Sequence, residues 1–117
     1  MGDKRTGFYR IRNCVVTQLN GIAFMSVLVR FSPPSMTAAQ YDAIVARLYE
    51  EGVHPAPGLE LEVCFGSGDQ MKVSVLFDSQ EHLDAFGARL APILEEMEMD
   101  PGELEVIEVH NIIRRGA

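Results

Sequence analysis

The sequence predicts an α+β domain in which two helices cover one face of a four-stranded antiparallel sheet. Four short segments alternate apolar and polar residues with a period of two, and two longer segments repeat apolar residues every three to four positions. The 117 residues are 47% hydrophobic and 23% charged, which is the ordinary composition of one globular domain. Disorder, a collagen helix and a coiled coil are therefore excluded for the chain as a whole.

The first strand and the first helix are the most clearly marked elements. Residues 25–31 place apolar side chains at every second position, and Pro33 ends this strand because proline lacks a backbone donor. Thr37 and Gln40 have the spacing of a capping box, in which each side chain bonds the other residue's backbone N–H. An apolar stripe at helical spacing then runs along residues 41–49, so we expect an amphipathic helix.

The next two strands are predicted to form a hairpin. Every second residue of segment 59–65 is apolar, and the same holds for segment 71–77, with a glycine-rich turn between them. We expect the apolar residues of both strands to face the helices. The alternating set of the first segment would then lie on the other face of the sheet: Glu60, Glu62 and Cys64.

The second helix and the last strand complete the pattern. Either Asp78 or Ser79 is predicted to cap the helix, which should kink at Pro92 because proline removes one bond to the preceding turn. The final strand is predicted over residues 104–112. Its alternation is poor, and the adjacent apolar residues 106–107 indicate a bulge.

The predicted order of elements is β-α-β-β-α-β, which is the ferredoxin-like arrangement. Right-handed crossovers place the first and third strands at the centre of the sheet and the other two at its edges. We assign residues 25–117 to this domain. Residues 1–24 carry four basic residues and one acidic residue, whereas the remainder carries six basic and sixteen acidic residues. We interpret residues 1–24 as an N-terminal extension or a peripheral strand.

One face of the predicted sheet has no helices on it. It carries Leu28 and Leu76 among polar residues. A domain of this size buries only a marginal core if one face of its sheet is exposed to water. We therefore expect a homodimer in which two such faces pack together. A formal net charge of −7 disfavours nucleic acid as a partner, and no apolar segment is long enough to cross a membrane. With only two cysteines, Cys14 and Cys64, a cytoplasmic location is predicted.

Short motifs mark residues 25–111: Thr37–Asp42 at the first helix, Asp78–Glu81, Phe86 and Arg89–Pro92 in the second, and Val109–Asn111 near the end. Together they resemble the dimeric α/β-barrel superfamily, which includes the antibiotic-biosynthesis monooxygenases. The chain is most similar to the small, functionally uncharacterised bacterial members. The resemblance implies the ferredoxin-like fold and a homodimer, and no cofactor is predicted. Haem-degrading relatives use an asparagine, a tryptophan and a histidine around the haem, and this chain contains no tryptophan.

Two residues near the end of the chain are candidates for catalysis. His110 is predicted on the same face of the last strand as Glu108, which suits a general base oriented by a carboxylate. Asn111 follows it, and the resemblance implies an asparagine and a tryptophan near an activated phenol in quinone-forming monooxygenases. This chain has the asparagine but no tryptophan, which disfavours the monooxygenase. Adjacent strand residues point to opposite faces, so both cannot reach one pocket directly. The alternative for His110 is a hydrogen-bonded histidine at the dimer interface.

Five further residues are candidates for binding a ligand between the sheet and the helices. Tyr41 and Tyr49 lie on the apolar stripe of the first helix, and His54 lies in the loop after it. His82 and Phe86 lie on the second helix. Each also has a plainer interpretation, which is core packing for the aromatic residues and solvent exposure for the histidines. No histidines have the spacing of a metal site, so none is predicted.

Two hypotheses about function follow from these residues. The first is a protein that binds a small apolar or aromatic molecule between the sheet and the helices. The alternative is a cofactor-independent monooxygenase or isomerase that acts on a phenolic or polyketide-like ring. An enzyme requires a cavity with convergent polar groups and a base within hydrogen-bond reach of the ligand, whereas a binding protein requires only an apolar cleft.

Overall fold

The computed structural model describes residues 26–116, and the predicted order of elements is confirmed there. The expected extension or strand over residues 1–24 lies outside this range. The six elements are β1 Val27–Ser32, α1 Ala38–Glu50, β2 Leu59–Phe65, β3 Lys72–Phe77, α2 Gln80–Glu96 and β4 Glu103–Glu108.

The strands form one antiparallel sheet in the order β2-β3-β1-β4, so the predicted central position of β1 and β3 is confirmed. The inner sides of these two strands meet apolar residues of both helices in one core. Phe77, Val27, Val29 and Val75 are its most completely buried side chains. The two helices therefore lie on one face of the sheet, and the fold is of the ferredoxin-like α+β class.

Both helices begin where the local sequence predicts. Thr37 Oγ1 accepts from the backbone N–H of Gln40 at 3.1 Å, and the Thr37 N–H donates to Gln40 Oε1 at 2.8 Å, which completes the capping box. Ser79, rather than Asp78, caps α2 by accepting from the His82 N–H at 3.2 Å. In residues 26–116 no helix has the length and apolar character needed to cross a bilayer.

The predicted facing of β2 is wrong, because its register against β3 shifts by one residue near its start. Leu59 pairs with Phe77, but Leu61 pairs with Leu76. An extra residue between the two pairs reverses the sides on which all later side chains lie. Glu62 consequently pairs with Val75 and faces the helices, and Cys64 does the same beside Val73.

The same shift gives the uncovered face of the sheet an apolar character that the sequence did not indicate. Leu61, Val63 and Phe65 point to this face and are 56%, 43% and 39% exposed. Ile107 of β4 joins them at 43% exposure, opposite Leu28. We call this surface the open face: Leu28, Leu61, Val63, Phe65, Leu76 and Ile107.

The last strand is shorter and more regular than predicted. β4 ends at Glu108, and its pairing with β1 runs without a register shift, so the predicted bulge at residues 106–107 is wrong. The Val109 N–H still donates to the Ser26 carbonyl at 3.1 Å, after which the chain leaves the sheet. His110 and Asn111 therefore follow the strand instead of lying on it, and both are exposed.

Candidate functional site

A cleft of about 190 Å³ opens between α1, β2 and the segment that joins them, residues 51–58, which we call the connector. The bond between Tyr41 and Glu62 links α1 to the edge strand β2, and the connector runs from the end of α1 to the start of β2. The lining is aromatic and aliphatic except for one carboxylate and one imidazole. The lining residues are Tyr41, Val45, Tyr49, His54, Pro55, Leu59 and Glu62.

Glu62 is the charged residue of the cleft, and the register shift in β2 brings it there. Its side chain is 16% exposed. The Tyr41 hydroxyl donates to Glu62 Oε2 at 2.6 Å, and His54 Nε2 lies 3.2 Å from Glu62 Oε1. A buried carboxylate requires such donors, since it is costly to remove from water without them. The three side chains form a hydrogen-bonded cluster, which we call the Tyr41–Glu62–His54 cluster.

His54 is held rigidly, in contrast to a solvated loop histidine. It is 8% exposed, and its backbone N–H donates to the Leu48 carbonyl at 3.1 Å. The imidazole stacks on Phe86 with ring centroids 5.5 Å apart, and Tyr49 meets it edge-on at the same distance. The other ring nitrogen, Nδ1, is buried and has no hydrogen-bond partner among residues 26–116.

Burial and the nearby charge of Glu62 favour the neutral forms of the Tyr41 hydroxyl and the Cys64 thiol. Burial raises the pKa of Tyr41 well above its ordinary value, and the hydrogen bond to Glu62 raises it further. Burial also raises the pKa of the Cys64 thiol, with added contributions from the charges of Glu62 and Asp42. Cys64 is thus kept as a thiol, which is a poor nucleophile.

A second, smaller cavity, which we call the inner cavity, lies between the helices and the sheet. It measures about 60 Å³ and shares Tyr41, Val45 and Glu62 with the cleft. The rest of its wall is apolar and includes Phe31, Ile44, Val73, Phe86 and Leu90. Glu62 and Tyr41 therefore line both the partly polar cleft and the apolar inner cavity.

The structure brings together four of the predicted ligand-binding residues. Tyr41, Tyr49 and His54 line the cleft, and Phe86 lies beneath His54 and lines the inner cavity. His82 belongs to a separate cluster, in which its Nδ1 lies 2.7 Å from Asp78 Oδ1 and 3.3 Å from Ser79 Oγ.

The two predicted catalytic residues lie elsewhere. The predicted pairing of His110 with Glu108 on one strand face is wrong because β4 ends at Glu108. Neither His110 nor Asn111 is among the residues that line the cleft or the inner cavity. Within residues 26–116 no three histidine, cysteine or acidic side chains are grouped to hold a metal ion.

Glu62 is the residue that sequence reasoning placed on the wrong face. The apolar–polar alternation of residues 59–65 predicted that Glu62 faces away from the helices. The bulge adds one residue to β2, and no distinctive residue type marks it in the sequence. The alternate residues of β2 nevertheless left the opposite facing open. Leu61, Val63 and Phe65 are apolar, and apolar residues suit a subunit interface as well as a core.

Comparison with known proteins shows relatives by fold and none by sequence. No family model matches the chain, and no curated protein matches its sequence. A variant of SnoaB, a cofactor-independent oxygenase from Streptomyces nogalater, has a similar structure with a TM-score of 0.57. The two sequences are 10% identical, and the match covers 78% of this chain and 98% of SnoaB.

Two further solved structures give the same result. NE2512 from Nitrosomonas europaea, of unknown function, has a TM-score of 0.59 at 11% identity, over 81% of this chain and 99% of its own. A Caulobacter crescentus CB15 protein provisionally named an antibiotic biosynthesis monooxygenase has a TM-score of 0.55 at 15% identity, over 82% and 99%. The resemblance inferred from the sequence motifs is confirmed for the fold.

Proposed function

We propose that this protein binds a small, largely apolar or aromatic molecule in the cleft between α1, the connector and β2. The observation that carries the proposal is the Tyr41–Glu62–His54 cluster, a single carboxylate with two bonded partners on an otherwise apolar wall. Ligand sites commonly combine an apolar lining with a few convergent polar groups, which orient the ligand while the walls bury it.

The ligand is expected to be small. A cavity of about 150 Å³ lined by aliphatic and aromatic groups accommodates a benzene ring. The cleft measures about 190 Å³, so its size suits one ring with a short substituent. The inner cavity of about 60 Å³ offers space for a small apolar extension past Glu62.

A second candidate function is cofactor-independent monooxygenation of a phenol. Glu62 favours it, because a half-enclosed carboxylate at the boundary of an apolar chamber can accept a phenolic proton. Overall, a phenol and one O2 would give a quinone and one water. The fold shared with SnoaB agrees with this candidate but does not carry it, because the two sequences are 10% identical. An isomerase would use the same proton transfer without O2.

The binding proposal is tested by filling the cleft. Val45 lines both the cleft and the inner cavity, whereas Ala46 is exposed on the same helix. Titration of neutral probes such as 4-ethylphenol and phenethyl alcohol, followed by NMR, is expected to give saturable shifts around His54. Val45→Trp should weaken binding at least about tenfold, while Ala46→Trp should stay within about twofold of the parent. Equal loss in both variants, or no saturable binding, would reject the proposal.

The enzyme candidate has its own test. With an oxygen electrode and phenolic substrates, we expect one O2 consumed per quinone formed. Glu62→Gln should lower the rate at least about 100-fold, in the range of a lost general base. Saturable binding of phenols without oxygen consumption would leave the binding function and remove the monooxygenase.

We also propose that the protein is a cytoplasmic homodimer joined through the open face. The supporting observation is the exposure of four large apolar side chains on one side of a small sheet. Contiguous apolar surface of this kind is rare on monomers and typical of interfaces. A two-fold axis would cover it with a second copy of the same face.

A further inference from the structure

We propose that the cleft selects ligands by charge, and that its preferred ligand is a small aromatic molecule carrying an ammonium group. This inference rests on the proposed binding function and specifies the class of ligand. Glu62 is the residue that determines the preference, and anionic ligands are excluded.

The first argument is the supply of hydrogen-bond donors and acceptors in the cleft. The hydrogens of the Tyr41 hydroxyl and of His54 Nε2 are both directed at Glu62. A carboxylate offers about four lone-pair positions, and two of them are used here. The free capacity of the cluster therefore consists of acceptors. A ligand that donates hydrogens can use it, whereas a carboxylate or phosphate would face the lone pairs of Glu62.

The second argument is charge balance. No lysine or arginine is among the described residues that line the cleft. The described arginines that form ion pairs do so elsewhere, Arg30 with Glu105, Arg47 with Glu51 and Glu96, and Arg114 with Glu60. Within residues 26–116 the recorded partners of the Glu62 carboxylate are the Tyr41 hydroxyl and the His54 ring. A shielded carboxylate gains from a cation that completes an ion pair with it, since its lost hydration is then replaced.

The third argument is the shape and nature of the walls. Tyr41 and Tyr49 both line the cleft from α1, and a cation near the face of an aromatic ring is attracted by it. The apolar part of the ligand meets Val45 and Leu59, and the inner cavity continues past Glu62. The formal charge of −7 adds a long-range attraction for cations that is screened over about 8 Å at physiological salt.

Three probes of matched shape and different charge test the inference. Phenethylamine is positive at neutral pH, phenethyl alcohol is neutral and hydrocinnamate is negative. Titrations by NMR or calorimetry at about 0.15 M salt limit the contribution of the distant charges. We expect the amine to bind at least about tenfold more tightly than the alcohol, and the anion to show no saturable binding.

Variants assign the preference to Glu62. Glu62→Gln keeps the size of the side chain and should lower the affinity for the amine at least about tenfold more than the affinity for the alcohol, so that the advantage of the amine is lost. Glu95→Gln makes the same change of charge at an exposed position on α2 and should leave the order of the probes unaltered. Far-UV circular dichroism and thermal midpoints confirm that both variants are folded.

The outcomes separate the two proposals. If the alcohol binds but the amine shows no advantage, or if Glu62→Gln keeps the advantage, the selection by Glu62 is wrong and the binding function stands. Saturable binding of hydrocinnamate by the parent protein would also reject it. If none of the three probes binds, both proposals fall.

Discussion

The hydroxyl of Tyr41 connects the stability of the fold to the charge in the cleft. It donates to Glu62 Oε2 at 2.6 Å, and burial together with this bond raises the pKa of Tyr41. The neutral hydroxyl is therefore favoured in the folded chain relative to the unfolded chain, where the pKa is about 10. As pH rises above that value, the unfolded chain loses the proton first, so the free energy of unfolding must fall.

We predict that Tyr41→Phe removes this dependence. At neutral pH the variant should be less stable by about 1.5–3 kcal/mol, because a hydrogen bond to a charged acceptor is lost. Between about pH 10 and pH 12 the difference from the parent should shrink, since only the parent carries the titrating hydroxyl at this position. Urea unfolding at several pH values measures both effects.

Tyr49→Phe is the matched control for that experiment. Tyr49 lines the same cleft but is 58% exposed. Its removal should leave the pH dependence of unfolding parallel to that of the parent. A parallel curve for Tyr41→Phe as well would show that burial of the Tyr41 hydroxyl does not contribute to alkaline unfolding.

Among the elements, the connector depends on one glycine for its position. Gly58 has a φ of 81°, and its carbonyl accepts from the Asp78 N–H at 2.8 Å, which ties the connector to the end of β3. A Cβ built on Gly58 would collide with the His82 imidazole and the Asp78 carboxylate. Both the backbone conformation and the close approach therefore require glycine at this position.

We predict that Gly58→Ala lowers the free energy of unfolding by about 2–4 kcal/mol, through strain and overpacking together. Gly52→Ala separates the two causes. Gly52 has a similar φ of 73° and nothing within 4 Å of a built Cβ, so strain alone should cost about 1–2 kcal/mol. Equal costs in chemical denaturation would mean that the contact with His82 relaxes freely.

Local signals in the sequence predicted the helices well, because a capping residue and an apolar stripe act within one turn of chain. The Thr37–Gln40 capping box and the Ser79 cap are examples. The facing of β2 was not predictable in the same way. Amphipathic alternation identifies the buried side only if the other side meets water, and Leu61, Val63 and Phe65 are apolar on the side without helices.

The candidate site was predicted only in part, because some of its residues depend on the register of β2. Tyr41, Tyr49 and His54 were named because aromatic residues and a loop histidine suit a cleft, and this depends on composition more than on register. Glu62 depends on register, and it was assigned to the opposite face. His110 was assigned to a strand that ends at Glu108, since edge strands end where pairing is lost and not where apolar residues stop.

For the whole molecule, the open face leads to a prediction about assembly. We expect sedimentation to give twice the chain mass of 13.0 kDa for the parent protein. Leu61→Arg should weaken the association at least about 100-fold, because it places an unpaired charge in an apolar interface. The monomer should remain folded, since Leu61 is 56% exposed in the single chain.

Ala46→Arg provides the control, because it adds the same charge on the exposed side of α1. This variant should sediment with the parent. If the parent protein itself is monomeric across the micromolar range, the open face is not a self-association surface and the homodimer proposal is wrong.

The register shift in β2 inserts one extra residue, Glu60, between two paired positions. That residue decides which side of the sheet each later side chain of β2 faces, and two proposed properties of the protein depend on it. Deletion of this one residue would move every later side chain of β2 to the opposite face of the sheet. The carboxylate would leave the ligand's side, and the leucine, valine and phenylalanine that follow would leave the outer surface at the same moment. The proposed ligand preference and the proposed self-association therefore depend on the same extra residue, and a variant that changes one through this strand should change the other.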